Sequence, residues 1–413
     1  MAVITRLPGS GNSDLSSRLV LALLLILPLL PPNTSALDAG ANANPMYSVK
    51  RLNDGKPVIT SSMFAALGVP EEGENINGPS VIRLPDWLTR TERASPEANY
   101  YMYFARHGAD RVGDYIRMAW AAHPEGPWTL FRTGKHVYPG NRGVLDTGAA
   151  GIINISGGRE LTGSVGSPDV IVDHANQRII MYFHAKINLE TEHSGINQPG
   201  KLHSKAFVAT SPNGLDFNQP GNRIRPRPLG GAYFRTFEAS DWLYAIGNTG
   251  TMYRAPAPGY LTPLEEIWAQ SWEKDEGPLK RVFDAESEKQ WLSPQARPRF
   301  RHFAVLPAGG ELHVFFSRKN DMHERIQMTI IEISGNDHWH TWSVRYPPWD
   351  ILKPELAWEG ADLAPRRSRI GPETGVRQLR DPYVLKDADG SLYLFYTGRG
   401  EEAIGVALLV PEA

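Results

Sequence analysis

Residues 163–186, GSVGSPDVIVDHANQRIIMYFHAK, contain a turn, an apolar strand, a polar turn and an aromatic-rich second strand. β-Branched and aromatic residues bounded by Gly, Pro and Asn are typical of paired strands joined by a short turn. A single acid, Asp169, follows Pro168 at the start of the first strand. The stretch therefore predicts an antiparallel strand pair that carries one carboxylate at its entrance.

The same pattern recurs four more times, each time with a third strand after it. The other copies are NGPSVIRLPDW (77–87) with its following strand, YFRTFEASDWLYAIGNTG (233–250), FRHFAVLPAGGELHVFFSRKND (300–321) and LRDPYVLKDADGSLYLFYTGRG (379–400). A small sheet cannot bury both faces alone, whereas five such sheets around one axis bury each other. The sequence therefore predicts an all-β protein, a five-bladed β-propeller with insertions, and a β-sandwich is the alternative.

Composition excludes several classes of function. The chain has 413 residues, a formal net charge of −2 and no cysteine. Without a basic surplus we expect no nucleic-acid partner, and without cysteine there are no disulfides and no thiolate chemistry. One segment outside the strand pattern, residues 261–276, is predicted to form a short helix.

The N-terminus has the pattern of an export signal. Arg6 and Arg18 precede a 12-residue apolar run at 19–30, which is shorter than the roughly 20 residues of a membrane span. We therefore predict a signal peptide over 1–36, a secreted or periplasmic protein, and no membrane association after its removal; a disordered tail is the alternative. Residues 37–74 form an N-terminal segment that is a candidate for closing the ring of a propeller over 75–413.

The strand pairs at 166–185 and 379–398 resemble the blade starts of five-bladed propeller glycosidases, the family 43 glycoside hydrolases and their relatives acting on fructans, arabinans and xylans. This resemblance, over roughly residues 75–410, implies a site at the axis, with a base from an early blade, a second Asp and an acidic Glu from the third blade. Here Asn77 and Gly78 stand where the base would be, and Arg235 marks a third blade without an obvious acid. The three carboxylates of the family therefore do not transfer one for one.

The catalytic candidates are four residues near predicted blade entrances or in the loop before the last blade. They are Asp169, Asp381, Glu359 and His302. A carboxylate at the start of a buried strand has a perturbed pKa, and a His is readily tuned near neutral pH. The alternatives are turn-binding roles for the two Asp residues, a structural His302 and a solvated acidic loop.

The substrate-binding candidates are mostly polar or cationic residues at the same entrances. They are Asn77, His184, Arg235, Arg301, Asp362 and Arg380. His107, His184 and His203 lack the tight spacing of a metal motif, so no catalytic metal and no cofactor is expected, although a structural Ca²⁺ or Na⁺ at the axis would need only oxygen ligands. Exposed tryptophans would suit stacking on sugars.

Three functions are compatible with these residues. The first is a secreted glycoside hydrolase acting on a polysaccharide or oligosaccharide, which the Arg residues suggest is anionic. The second is a polysaccharide lyase that uses His as base and Arg to bind the carboxylate of a uronic acid. The third is a carbohydrate-binding propeller without activity, since fold alone does not specify function.

Overall fold

Each of the five repeated stretches forms its own antiparallel sheet in a computed structural model of the protein. The structure describes residues 46–107, 115–131, 143–146, 152–155, 159–188, 202–218, 228–258, 271–282, 299–333, 336–345, 348–369 and 371–412. The sheets are called blades one to five in chain order. The predicted five-bladed β-propeller is confirmed.

The strands of the first three blades are as follows. Blade one contains β3 (Asn77–Arg83), β4 (Tyr100–Arg106), β5 (Tyr115–Ala121), β6 (Thr129–Phe131) and β7 (Leu145–Asp146). Blade two contains β8 (Ile152–Ile155), β9 (Arg159–Asp173), β10 (Arg178–Asn188), β11 (Leu202–Ser211) and β12 (Gly230–Gly231). Blade three contains β13 (Arg235–Ala239), β14 (Trp242–Ile246), β15 (Met252–Pro256) and β16 (Glu273–Asp275).

The last two blades complete the ring. Blade four contains β17 (Arg299–Ala308), β18 (Glu311–Lys319), β19 (Ile326–Glu332), β20 (Ser343–Val344) and β21 (Trp349–Leu352). Blade five contains β22 (Arg380–Lys386), β23 (Leu392–Gly398), β24 (Ala403–Pro411), β1 (Tyr47–Arg51) and β2 (Ile59–Thr60). The helices are short: α1 (Ser61–Ala66), residues 278–282, and 3-10 turns at Asn53–Gly55, Pro70–Gly73, Arg90–Glu92, Asn336–Thr341 and Ala357–Glu359.

Blade five joins the two ends of the described chain. Strand β1 pairs antiparallel with β24, from Tyr47 opposite Pro411 to Arg51 opposite Ala407, and β2 pairs with the other end of β24. The outer edge of the last blade is thereby covered by main chain from the N-terminal side. Covering this edge satisfies backbone groups that an open blade would leave unpaired.

Apolar side chains fill the five spaces between neighbouring blades. Blades one and two pack Tyr101 and Met118 against Met181 and Phe207, and an equivalent buried cluster lies at each other junction. Both faces of most inner and middle strands are therefore covered, which explains runs such as β4 in which all seven residues are buried. Burial of these faces is the main contribution to stability.

A β-bulge interrupts the innermost strand at the same place in several blades. Register shifts occur between Asn77 and Ser80, between Arg301 and Ala304 and between Arg380 and Tyr383. One residue per blade at this level has a left-handed backbone; these are Gly78, Ser167, Tyr233, His302 and Asp381, with φ between 46° and 64°. Bulges redirect side chains, and those in blades four and five lie at His302 and Asp381.

Two sequence predictions concern segments with incomplete description. The predicted signal peptide, residues 1–36, lies outside the described residues. Of the helix predicted over 261–276, only the end from 271 is described, and Glu273–Asp275 forms strand β16 against β15. Strand pairing outweighs the weak helical pattern there. No helix among the described residues has the length and apolar character to span a membrane.

Candidate functional site

The five left-handed entrances surround a cavity of about 480 Å³. Its lining combines four cations, two carboxylates, two histidines and several neutral polar groups. The lining residues are Asn77, His107, Ser167, Tyr233, Asn248, Thr249, Lys280, Arg299, Phe300, Arg301, His302, Lys319, Gly371, Pro372, Asp381 and Glu401. A concave polar site at the axis of a propeller is the expected place for a ligand.

Asp381 and His302 lie side by side in this lining. The Nδ1 atom of His302 is 3.2 Å from Oδ1 of Asp381, although the angle is not that of a hydrogen bond. Thr397 donates a long hydrogen bond of 3.4 Å to the other oxygen of Asp381. Burial and the neighbouring guanidinium groups of Arg301 and Arg380 hold the pKa of His302 well below its usual range, so its ring is neutral.

The second carboxylate, Glu401, controls the protonation of Asp381. Burial, followed by the negative charge of Glu401, raises the pKa of Asp381 to about 7, against the opposing effect of Arg380. Glu401 itself accepts hydrogen bonds from Arg380 Nη1 at 2.7 Å and from Asn75 Nδ2 at 2.6 Å. One carboxyl group can therefore carry a proton near neutral pH while the other is held in an ion pair.

Behind the cavity lies a chain of buried charges that joins blades four and five. Arg301 binds both oxygens of Glu324, which also lies 3.3 Å from Arg380. Burial alone would raise the pKa of Glu324, but Arg301 and Arg380 hold it at about 2. Glu373 also accepts a hydrogen bond from Arg380 at 2.6 Å. Both guanidinium groups are thus neutralised by protein carboxylates.

Tyr233, just before β13, is one of the residues that blade three contributes to the lining. Its ring stacks on His184, with 4.4 Å between the ring centroids, and lies 5.8 Å from the ring of His302. Burial, followed by the negative charges of Asp381 and Glu401, raises the pKa of Tyr233, so its phenol is neutral. The left-handed residues of blades three, four and five therefore lie next to one another around the axis.

Four residues predicted from the sequence lie in the cavity lining. Asp381, His302, Asn77 and Arg301 meet there from blades five, four, one and four. The side chain of Asn77 hydrogen-bonds to Asn75 and, at 3.5 Å, to Glu401. Arg301 was predicted to bind substrate. It does line the cavity, but its guanidinium group is already bound to the carboxylate of Glu324.

Asp169 lies outside the cavity lining, two residues beyond the left-handed Ser167. One of its oxygens accepts hydrogen bonds from the backbone N–H of Thr236 at 2.7 Å and from its hydroxyl at 2.6 Å. The other lies 3.6 Å from Arg235. Although burial raises the pKa of Asp169 against the effect of Arg235, this carboxylate joins blade two to blade three, and the catalytic role predicted for it does not fit its position.

Arg235, Arg380 and His184 also lie outside the cavity lining. Arg235 donates to the backbone carbonyl of Phe303 at 2.8 Å and to that of Pro168. Arg380 is fully buried, and His184 packs behind Tyr233. None of these three predicted substrate-binding residues lines the cavity, and their contacts are with residues of the protein.

Glu359 and Asp362 lie outside the cavity, although the sequence predicted that their loop would contribute to the site. Glu359 is fully buried and binds Arg51 Nε at 2.7 Å, the Tyr396 hydroxyl at 2.8 Å and two backbone N–H groups. It anchors strand β1 on blade five. Asp362 is exposed and pairs with Arg399 at 3.2 Å. Neither residue lines the axial cavity.

Sequence reasoning missed Glu401, Tyr233 and Lys319. Glu401 follows the middle strand of blade five in a short hairpin, where it resembled a solvated turn residue. Gly78, Ser167 and Asp381 each directly precede a proline, which blade three lacks at this place. Aligning Phe234 with these prolines could have found Tyr233. That alignment places Tyr233, rather than Arg235, at the cavity level of blade three.

Two further sequence expectations concern tryptophans that would stack on sugars and histidines that lack the spacing of a metal motif. Trp128, Trp339 and Trp342 are buried between blades, and no tryptophan lines the cavity among the described residues. Within the same described ranges, no group of three or more His, Asp and Glu side chains is arranged to hold a metal ion.

Comparisons with known proteins give relatives of limited similarity. No protein-family model matches this chain. A curated protein of Acanthamoeba polyphaga mimivirus, itself uncharacterised, is 28% identical over 343 residues, which cover 81% of this chain and 83% of that protein.

Solved structures with a similar fold are glycoside hydrolases. A thermostable family-43 glycoside hydrolase has a TM-score of 0.44 and 12% identity, covering 82% of this chain and 89% of that one. An α-L-arabinofuranosidase from Lactobacillus brevis has a TM-score of 0.45 and 14% identity, covering 87% and 92%. A glycosyl hydrolase from Bacteroides ovatus has a TM-score of 0.47 and 10% identity, covering 89% and 95%. Values this low do not assign an activity.

Proposed function

We propose that this protein is a glycoside hydrolase whose active site is the axial cavity. The observation that carries the proposal is the pair of cavity carboxyl groups, Asp381 and Glu401, whose environments differ. Asp381 has a pKa of about 7, whereas Glu401 is ion-paired with Arg380. Two carboxyl groups with different protonation are what cleavage of a glycosidic bond requires. The resemblance of the blade starts to family 43 agrees with this assignment.

In the proposed reaction, Asp381 gives its proton to the glycosidic oxygen as the bond from that oxygen to the anomeric carbon breaks. Glu401 stabilises the positive charge that develops on the sugar ring. Water then forms the new bond to the anomeric carbon, and neutral His302 takes the proton that water loses. The carboxylate left on Asp381, 3.2 Å from Nδ1 of His302, stabilises the resulting imidazolium, and return of the proton to Asp381 completes the cycle.

A polysaccharide lyase is the second candidate, favoured by the neutral His302 and the cations of the lining. In that reaction the base removes the proton from the carbon next to a uronic carboxylate, and the bond to the leaving oxygen breaks with formation of a double bond. Positive charge would stabilise the carboxylate as electrons move toward it.

We also propose that the protein is secreted or periplasmic. Its partner in this proposal is a carbohydrate, and it uses no cofactor.

The test is incubation with neutral and uronic-acid polysaccharides while reducing ends and the ultraviolet absorbance of unsaturated uronates are followed. New reducing ends without absorbance support the hydrolase, and absorbance supports the lyase. Asp381→Asn should lower the rate by about 10²–10⁴-fold, the usual contribution of an acid–base group. The control is Asp362→Asn, in which an exposed carboxylate of the loop before the same blade is lost. Saturable binding without any cleavage would contradict the proposal.

A further inference from the structure

One wall of the axial cavity carries like charges that the protein places directly opposite each other. Arg299 and Lys319 are cross-strand partners at the open end of β17 and β18. Side chains in such a pair start about 4.5–5.5 Å apart, and like charges there are destabilising. The two residues both line the cavity, as does Lys280, whose ammonium group pairs with Glu276 at 2.9 Å.

The ammonium group of Lys319 is surrounded by positive charge. Burial, then the charges of Arg299 and Arg301, lower the pKa of its ammonium group. Within the described part of the chain its ammonium group has no hydrogen bond or ion pair, and Glu324, the acid that acts on it, is already bound by Arg301 and Arg380. An anion entering the cavity would therefore relieve repulsion between cations.

The surroundings of Lys319 also provide neutral donors and an apolar surface. Asn248 and Thr249, in the turn between β14 and β15, and Phe300 line the same cavity. Asp381, Glu401 and Asn77 of the lining come from blades five and one, whereas these residues come from blades three and four. The lining therefore divides by blade into a carboxylate part and a cationic part.

We infer that the wall formed by Lys319 and Arg299 binds an oxyanion substituent of the carbohydrate, a carboxylate or a sulfate ester. The inference rests on the proposed function for the identity of the molecule that carries the anion. It differs from the expectation based on Arg235, Arg301 and Arg380, because those three guanidinium groups are occupied by protein acceptors. The ligand charge replaces the missing counter-ion of Lys319.

The experiment measures binding of sulfate, glucuronate and glucose to the full chain by nuclear magnetic resonance or calorimetry. Sulfate and glucuronate should bind saturably, more weakly as salt is added, and glucose should not. Lys319→Met should weaken anion binding about 10-fold, as expected for loss of a charged hydrogen bond, and Lys319→Arg should restore most of it. Lys353→Met, at an exposed lysine of blade four, is the matched control.

The outcomes separate this inference from the proposed reaction. Absence of saturable binding by either anion, or equal binding by Lys319→Met and the unchanged protein, would overturn it. Tighter binding of glucuronate identifies a uronic acid, and tighter binding of sulfate identifies a sulfate ester. Because the assay requires no cleavage, it can succeed even if Asp381→Asn shows that the proposed hydrolysis is wrong. Unfolding midpoints of the variants exclude loss of binding through loss of the fold.

Discussion

At the scale of single residues, the protonation of Asp381 depends on its distance from charges of both signs. The carboxyl group is buried between Glu401, which disfavours its ionisation, and three guanidinium groups, which favour it. Its pKa of about 7 is the balance of these effects with burial. The proton needed for leaving-group protonation is therefore available at neutral pH and lost in alkaline solution.

The pH dependence of the reaction follows from this balance. We expect kcat/KM to fall as the pH rises through about 7, because Asp381 must be protonated to act as acid. In Glu401→Gln the negative neighbour is absent and Arg380 is less neutralised, so the pKa of Asp381 falls and the alkaline limb moves to lower pH. Measurement of pH–rate profiles checks this expectation.

The adjacent residue provides the control for this prediction. Glu402 is half-buried, lies outside the cavity lining and pairs with Arg399 at 3.3 Å, so Glu402→Gln should leave the limb in place. A limb that stays in place, or moves to higher pH, in Glu401→Gln would contradict the claim that the charge of Glu401 raises the pKa of Asp381.

At the scale of elements, the loop before blade five contains two acidic residues, one buried and one exposed. Glu359 is buried and satisfied by five hydrogen bonds from Arg51, Tyr396 and the backbone of residues 355 and 356. Asp362, three residues later, is exposed in a pair with Arg399. Removal of one partner from a buried pair leaves the other charge uncompensated, whereas an exposed pair contributes little.

The two acids should therefore respond very differently to replacement. Glu359→Gln is expected to lower the free energy of unfolding by about 3 kcal/mol, because Arg51 on strand β1 loses its buried counter-charge and keeps only the exposed Glu355, which lies 2.8 Å from Nη1. Asp362→Asn should change it by less than about 0.5 kcal/mol. Denaturant unfolding of both variants provides the measurement. Equal effects would contradict the anchoring role of Glu359. Loss of activity in a Glu359→Gln protein that is still folded would indicate that Glu359 belongs to the active site after all.

At the scale of the whole molecule, the ring is closed by a strand distant in sequence from its partners. Tyr47 of β1 packs between blades four and five, and its hydroxyl lies 2.7 Å from Nδ1 of His313. Burial lowers the pKa of His313 despite the opposing effect of Glu311. The neutral ring can then serve as acceptor for the Tyr47 hydroxyl.

This contact makes part of the stability dependent on pH. Because the pKa of His313 is lower in the folded than in the unfolded chain, the unfolded chain takes up its proton first as the pH falls below about 6.5. The contribution is complete above that pH and lost below it. We therefore expect the free energy of unfolding to decline between about pH 7.5 and 5.5, and His313→Asn to reduce the decline. His338→Asn, at an exposed histidine, is the control; an unchanged slope in His313→Asn would contradict the prediction.

Much of the architecture could be predicted because its sequence signals lie within short stretches of the chain. Strand pairs such as 379–398 carry apolar periodicity and turn residues within about 20 positions, and five copies require mutual packing. The axial location of Asp381, His302, Asn77 and Arg301 was also accessible from the blade starts. Asp169 was misplaced because a difference of two residues at a bulge decides whether a side chain lines the cavity or joins two strands.

The sequence by itself determined the five blades, since each depends on contacts between neighbours along the chain. Only the tertiary structure decided which charges are free to act. Arg301 meets Glu324 from 23 residues away, Arg380 meets Glu401 from 21, and Arg51 meets Glu359 from 308. Whether a buried charge is neutralised by the protein or left for a ligand depends on distances of a few ångströms between such residues, because electrostatic energy and desolvation change steeply over that range.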